Sequence, residues 1–357
     1  MTQVALGIPA VAGQIPPEVD ENDDRFASGP LLDTYGRVAT DLRISLTDRC
    51  NLRCTYCMPA EGLDWMPTEQ LLTADEIARL MRVAVVDLGV EEIRFTGGEP
   101  LLRKDLPQIV AAAAALDPRP DISLTTNGLG LTRRAGQLRA AGLDRVNVSL
   151  DTIDRVEFQS ITRRDRIDDV FAGLRAAHDA GLAPIKVNAV LRPGCNDDDA
   201  PDLLQFCLDH NFELRIIEQM PLDAGHDWRR SDMITAERAR ELLSRRFTLT
   251  PEPTPRGSAP AQRWLVDGGP ATVGIIASVT EPFCAACDRT RLTADGQIRN
   301  CLFAREETDL RSLLRSGASD AAIARRWRAA MWSKRAGHGI GDPDFTQPGR
   351  PMSAIGG

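Results

Sequence analysis

The 357-residue sequence predicts an α/β protein: an incomplete barrel of six βα units with a smaller C-terminal α+β region. Two observations predict it. From Asp41 onward, short β-branched or leucine-rich runs alternate with amphipathic helical patterns about every 25–35 residues, the rhythm of parallel strands joined by helices. Six such units between residues 41 and 217 fall short of the closed eight-unit barrel, which takes about 250 residues.

Taken in order, residues 1–35 are rich in Pro, Gly, Asp and Glu without a sustained apolar period, as in a mobile N-terminal arm. Strands are expected at 42–46, 92–95, 121–125, 145–150, 185–191 and 213–217. The clearest helix is 74–88: Thr73 and Glu76 form a capping box, and Ile77, Leu80, Met81, Ala84, Val85 and Leu88 fall on one face. The barrel thus takes residues 36–235. Beyond it, Pro251, Pro253, Pro255 and Pro260 interrupt a stretch that reads as a linker or surface loop. Short strands at 264–266, 271–277, 289–292 and 297–299 then build the smaller region, 236–335, and residues 336–357 form a loop-like tail ending in Gly356-Gly357.

Composition narrows the function classes. A hydrophobic content of 43% with 26% charged residues excludes a disordered or low-complexity chain. The longest apolar run, 109–116, is far shorter than the roughly 20 residues of a membrane span, so no membrane partner is expected. A net charge of −8 has the wrong sign for general nucleic-acid binding, although a local basic pocket remains allowed. Ala10-Val11-Ala12 faintly resembles a signal cleavage site, but no Lys or Arg precedes Arg25, and Gly7 and Pro9 break the apolar stretch; a cytoplasmic location is expected. In a reducing cytosol, eight cysteines point to metal or redox chemistry rather than to disulfides.

Their spacing divides them. Cys50, Cys54 and Cys57 form C-x3-C-x2-C, and Cys284, Cys287 and Cys301 form C-x2-C-x13-C. Cys195 and Cys207 stand apart, as a loop thiol and a core thiol. A structural zinc site closes with four ligands, and each set has three. A four-iron cubane on three thiolates would instead keep one iron open for an exogenous ligand. For the second set, zinc completed by a histidine is the competing reading; the nearest following histidine, His338, lies far along the chain in the tail.

Ligands of parallel α/β sheets bind at the carboxyl ends of the strands. The residues there are Thr47-Asp48-Arg49-Cys50, Thr96-Gly97-Gly98-Glu99-Pro100, Thr125-Thr126-Asn127-Gly128, Ser149-Leu150-Asp151 and Glu218-Gln219-Met220-Pro221. Arg289 and Arg291 alternate on one expected strand and so point the same way, a pair suited to a polyanion such as a triphosphate. The ordinary place of an arginine is nevertheless the solvated surface. No G-x-x-x-x-G-K-[ST] loop is present, so side chains must hold any phosphates.

The first cysteine array, with Tyr56 inside it, Met58-Pro59 after it and Gly97-Gly98-Glu99-Pro100 after the second strand, resembles the radical S-adenosylmethionine (SAM) superfamily. From Asp41 to Gly357 the chain further resembles the GTP 3′,8-cyclase family, which opens molybdenum cofactor biosynthesis. The features that carry this are both cysteine spacings, Thr125-Thr126-Asn127-Gly128, Val148-Ser149-Leu150-Asp151, Lys186-Val187-Asn188, Gln219-Met220, the arginines after Cys287 and the Gly-Gly terminus. The resemblance implies a radical SAM barrel with two [4Fe–4S] clusters, one on Cys50, Cys54 and Cys57 that cleaves SAM, and one on Cys284, Cys287 and Cys301 at the substrate. It implies SAM contacts at Tyr56, Gly98, Ser149 and Met220, and GTP contacts at Arg43, Arg94, Thr125, Lys186, Arg289 and Arg291. No acid or base residue is assigned.

The implied reaction removes the ribose 3′ hydrogen with a 5′-deoxyadenosyl radical and joins C3′ to C8 of guanine, giving (8S)-3′,8-cyclo-7,8-dihydroguanosine 5′-triphosphate. An external one-electron reductant, a downstream cyclic pyranopterin monophosphate synthase and a homodimer are implied as partners. The tail is implied to enter the active site. Two rivals remain open at this level: a radical SAM enzyme that modifies peptides and carries an auxiliary cluster, and a non-catalytic, metal-stabilised binding module.

Overall fold

The computed structural model of the protein describes residues 19–356. Its strands are β1 (Asp41–Ser45), β2 (Glu92–Thr96), β3 (Asp121–Thr126), β4 (Arg145–Ser149), β5 (Ile185–Val190), β6 (Glu213–Ile217), β7 (Leu249–Pro251), β8 (Gln262–Val266), β9 (Thr272–Ile276), β10 (Arg289–Leu292), β11 (Gln297–Arg299) and β12 (Thr308–Asp309). The helices are α1 (Ala74–Arg82), α2 (Leu106–Ala114), α3 (Leu131–Ala140), α4 (Arg155–Thr162), α5 (Ile167–Asp179), α6 (Ala200–Asp209), α7 (Ala236–Ser244), α8 (Arg311–Arg315), α9 (Asp320–Trp332) and α10 (Met352–Ile355). None is long and apolar enough to cross a membrane, among the described residues.

All six barrel strands form where the hydrophobic runs place them, with ends displaced by at most one residue. They belong to one twelve-stranded sheet in the order β12-β11-β10-β1-β2-β3-β4-β5-β6-β9-β8-β7. The eight central strands, from β10 through β9, run parallel; the outer ones are antiparallel. The C-terminal strands therefore do not build a sheet of their own: β10 lies against β1 and β9 against β6. The proline-rich stretch includes one strand that the sequence reading treats as loop. β7 is the last strand at its end of the sheet, where Pro251, lacking an N–H, leaves no ladder bond unmade.

Along the barrel strands apolar and polar residues alternate. Leu42, Ile44, Ile93, Phe95, Ile122, Leu124, Val146, Val148, Val187 and Leu214 point outward and are fully buried in the core beneath the helices. The expected helix at 74–88 begins with its capping box intact: Glu76 N donates to Thr73 Oγ1 at 3.2 Å, and Thr73 N to Glu76 Oε2 at 2.8 Å. It then widens into a π turn at Val83–Asp87, in which the consecutive Val83, Ala84 and Val85 are all buried, against α9.

Residues 19–35 are docked rather than free. Phe26 and Leu31 are buried, and the Arg328 guanidinium of α9 donates to the carbonyls of Gly29 (2.6 Å), Phe26 (3.2 Å) and Asp87 (2.8 Å). Two isolated apolar side chains and an arginine clamp leave no periodic signature, which is why composition alone reads the segment as mobile. Residues 1–18, with the cleavage-like Ala10-Val11-Ala12, lie outside the described residues, as does Gly357. The tail, read as loop, ends in the short α10 with Ile355 fully buried. Cys195 is half-buried in the β5–α6 loop, and Cys207 is buried in α6.

Candidate active site

The other face of the alternation points into the barrel. Arg43, Arg94, Thr96, Thr125, Asn147, Ser149, Asn188, Arg215, Arg289 and Arg291 line one cavity of about 350 Å³. Closed barrels of this type fill their interior with branched aliphatic side chains; here the strands carry arginines, hydroxyls and amides into a cavity that stays open. Every residue expected at a cluster, at SAM or at GTP lines this cavity except Lys186, which sits two residues before Asn188 on the same face of β5.

The first cysteine loop follows β1 and is fastened to the end of α4: Arg53 N donates to Thr162 O at 3.0 Å and Thr55 N to Ile161 O at 2.9 Å. Burial pushes all three thiols up, Cys57 to about 12, and the neighbouring sulfurs push Cys54 and Cys57 further. Three such thiols ionise together only with a cation among them, the chemistry of a metal cluster. No three His, Cys, Asp or Glu side chains converge tightly enough for a single metal ion among the described residues. A cubane does not ask for that, since each thiolate meets a different iron.

Gly97 and Gly98 have a reason visible in the backbone. The segment runs beside the strand leading to Cys50, with Gly98 N donating to Thr47 O at 2.7 Å and Glu99 N to Arg49 O at 2.7 Å. A Cβ on Gly98 would lie 2.3 Å from Arg49 O, and one on Gly97, at φ +151°, 2.5 Å from Thr47 O. Glu99, which sequence reasoning gave no role, is fully buried and accepts from Thr126 Oγ1 (2.7 Å), Asn127 N (2.7 Å) and Leu101 N (2.9 Å). Burial raises its carboxyl to about 7. Asn127, so held, turns its Nδ2 toward Cys50 Sγ at 3.8 Å. Across the cavity Tyr56 donates its hydroxyl to Asp151 Oδ2 at 2.8 Å, and burial raises that carboxyl to about 6.

Arg289 and Arg291 are buried and Arg43 and Arg94 half-buried, four cations on adjacent strands; β1 pairs Arg43 with Arg291 on one side and with Arg94 on the other. Burial, then Arg94, brings Arg43 down to about 10, and burial, then Arg43 and Arg289, brings Arg291 down to about 9. Lys186 falls to about 8 through burial and the nearby Arg215. Asp41 is the carboxylate among them, 3.5 Å from Arg43 and 3.6 Å from Arg289. Arg43 Nε, Arg289 Nε, Asn147 Oδ1 and Asn188 Oδ1 are buried without hydrogen-bond partners, as in a site built for a polar ligand. Neither Arg289 nor Arg291 takes the solvated place ordinary for an arginine.

The second cysteine group lies at the same cavity. Arg37, just beyond the docked N-terminal segment, donates to Cys284 O at 2.7 Å and Ala336 O at 2.9 Å and so braces this loop. Burial, then Cys301, raises Cys284 to about 11. Burial would also raise Cys287, but Lys334 and Arg289 overcome it and its thiol lies below the ordinary value. The fold brings His338, distant in sequence, to the same cavity. Its Nδ1 accepts from Ile340 N at 3.1 Å and its Nε2 meets Ser278 O at 2.8 Å, so neither nitrogen offers a free lone pair to a metal.

Two further features shape the site, the first of them without an expected role from the sequence and the second the tail that the resemblance implies enters it. Glu218, at the end of β6, is a buried carboxylate that gathers Ala236 N (2.7 Å), Val279 N (2.8 Å), Thr280 N (2.9 Å) and the Thr280 hydroxyl. The tail is anchored by Arg350 on Asp295 (2.8 Å) and Glu307 (2.8 Å), and Gly356 O accepts from Arg291 Nη1. Met352 and Ser353 line the cavity.

Residues 44–207 match the radical SAM superfamily and residues 212–340 the family described as Molybdenum Cofactor Synthesis C. In fold the chain resembles Streptococcus suis SuiB bound to S-adenosylmethionine, with a TM-score of 0.54 at 15% identity over 77% of this chain and 63% of SuiB. A SuiB structure with its precursor peptide SuiA gives 0.56 at 16% identity, over 77% and 64%. The chain therefore spans less than two thirds of SuiB, and at that identity the likeness shows the fold alone. Proteins named GTP 3′,8-cyclase from Mycobacterium sp. (strain KMS) and Mycolicibacterium smegmatis are each 64% identical over the whole of both chains. One named GTP 3′,8-cyclase 2, from Mycobacterium tuberculosis, is 63% identical over the same extent. Radical SAM enzymes use a [4Fe–4S] cluster and SAM, and with full-length identity of this order the chain belongs to the GTP 3′,8-cyclase family of that superfamily.

Proposed function

We propose that the cavity converts GTP to (8S)-3′,8-cyclo-7,8-dihydroguanosine 5′-triphosphate, with the six cysteines in two cluster-binding sets. The observation that carries this is one cavity lined by both cysteine triplets and by Arg43, Arg94, Arg289 and Arg291. With a cluster on Cys50, Cys54 and Cys57, reductive cleavage of SAM supplies the 5′-deoxyadenosyl radical that takes the ribose 3′ hydrogen. Tyr56, Gly98, Ser149 and Met220 border SAM in this reading. The cationic strands receive a triphosphate of about four negative charges by side chains alone. Thr125 faces the sugar side of the same wall, and Cys284, Cys287 and Cys301 hold the cluster that meets the purine.

His338 is the natural fourth ligand of a zinc alternative, and its engaged nitrogens favour the cluster reading. An external one-electron reductant, a downstream cyclic pyranopterin monophosphate synthase, a homodimer and a cytoplasmic location complete the proposal. So does a division of the chain near residue 235, downstream of the boundary between the two matched families at 207–212. Anaerobically reconstituted protein is expected to hold about eight irons. With SAM and reductant it should consume GTP and release 5′-deoxyadenosine together with a cyclised nucleotide. Deoxyadenosine formed equally well without GTP would count against the substrate, and zinc in place of iron against the clusters.

Lys186 gives the pH dependence. Its ammonium, at about 8 in the free protein, is raised by a bound triphosphate, so binding is strongest below that value and weakens as pH climbs from it toward the pKa of the complex. Titration calorimetry from pH 7 to 9.5 should show GTP affinity falling by up to tenfold per unit above about pH 8. Lys186→Arg, which stays charged, should flatten the fall; an equally steep profile in that variant would clear Lys186 of the role.

A further inference from the structure

We propose that Lys334 is a positioning residue of the second cysteine group, the counter-charge of the Cys287 thiolate, and that it sets the potential of the cluster held there. The inference rests on the two-cluster reading above. Lys334 is only 3% exposed. Its ammonium donates to Arg289 O at 2.8 Å, Cys287 O at 3.2 Å and Cys287 Sγ at 3.3 Å, one acceptor for each proton. Among the described residues no carboxylate forms an ion pair with it. A buried ammonium served only by neutral carbonyls would bear an uncompensated desolvation cost, and the sulfur is the one neighbour that can carry the opposite charge.

The lysine cannot swing away from this task. It follows α9 directly, and α9 is bolted to the strands on both sides of the cysteine loop. Trp327 Nε1 donates to Thr290 Oγ1 at 3.0 Å, while Asn300 Nδ2, beside Cys301, donates to Ala330 O at 2.9 Å and Ser333 Oγ at 3.0 Å. By holding the carbonyls of Cys287 and Arg289 together, the same ammonium fixes the start of β10 and with it the direction of Arg289. Arg289 Nη1 adds a weaker contact to Cys287 Sγ at 3.7 Å. Cys287 is thus bonded by two cations. Hydrogen bonds and positive charge at a cluster sulfur favour the reduced cluster.

The test is an EPR-monitored redox titration of full-length, iron-loaded protein, comparing Lys334→Gln and Lys334→Arg with the unsubstituted chain. Lys334→Gln keeps a donor and loses the charge; one of the two cluster signals should move so that its reduced fraction at fixed potential falls about tenfold, 59 mV for a one-electron couple. The other signal should stay, and Lys334→Arg should titrate like the unsubstituted protein. Loss of about four irons in the glutamine variant alone would meet the same charge requirement. An unshifted glutamine variant, or an arginine variant as disturbed as the glutamine one in potential or iron content, would overturn the proposal. The iron count of the unsubstituted protein checks the two-cluster reading separately.

Discussion

Cys301→Ala is expected to take the iron of the reconstituted protein from about eight atoms to about four and to abolish the cyclised nucleotide. Cys301 follows β11 by two residues in a turn held by the residues on either side of it. Asn300 ties the turn to α9, and Arg299 holds its far side through Glu307 at 2.5 Å. The substitution removes a sulfur without loosening those supports. The first cysteine loop is anchored independently on α4, so its cluster and SAM binding should survive. Iron analysis with product chromatography checks both halves of the expectation, and an unchanged iron count would remove Cys301 from the ligands.

Glu218→Ala should be the most destabilising single change in the barrel, lowering the apparent unfolding free energy by about 3–5 kcal/mol. Its carboxylate serves the first N–H of α7 and two backbone N–H groups at 279–280, each close to 2.8 Å and each away from water. Alanine strands all three donors. It also unties β6 from the segment that follows β9 toward the second cysteine group. Urea unfolding monitored by circular dichroism would read this as a lower midpoint, and a loss below about 1 kcal/mol would contradict it.

Both residues occupy segments that the sequence marks as strand ends, yet only Cys301 was legible as functional. Cysteine spacing is a covalent-chemistry signal and survives without structure, as does the glycine pair before Glu99. Asp151 and Lys334 act through partners more than thirty residues away, and Glu218 through Ala236, Val279 and Thr280; position at a strand end marks Glu218 and Asp151, but no local signal shows which groups they hold. The six barrel strands were legible because each carries an outward apolar row. The sequence carries a second signal: in Arg43, Arg94, Asn147, Lys186 and Arg215 the polar partners of that alternation are cationic or amide residues, unlike the branched aliphatics of a filled barrel. The docked N-terminal segment and His338 were misjudged for one reason. Their anchors, Arg328 and the Ser278 carbonyl, are distant in sequence, and composition sees only the polar residues around them.

The pairing of β10 with β1 and of β9 with β6 has a consequence for how the gene product can be divided. The boundary between the two matched families, 207–212, falls inside the barrel, before β6. A fragment ending there would present β1 and β5 as bare edges, with unpaired N–H and C=O groups beside rows of Ile, Val and Leu, a template for aggregation. The second half would keep β6 and β9 but lose the neighbour of β10. Neither piece is a portable module, and each carries the strands that cover the other's open edges. Expressed apart they should precipitate, and expressed together they should re-form one sheet.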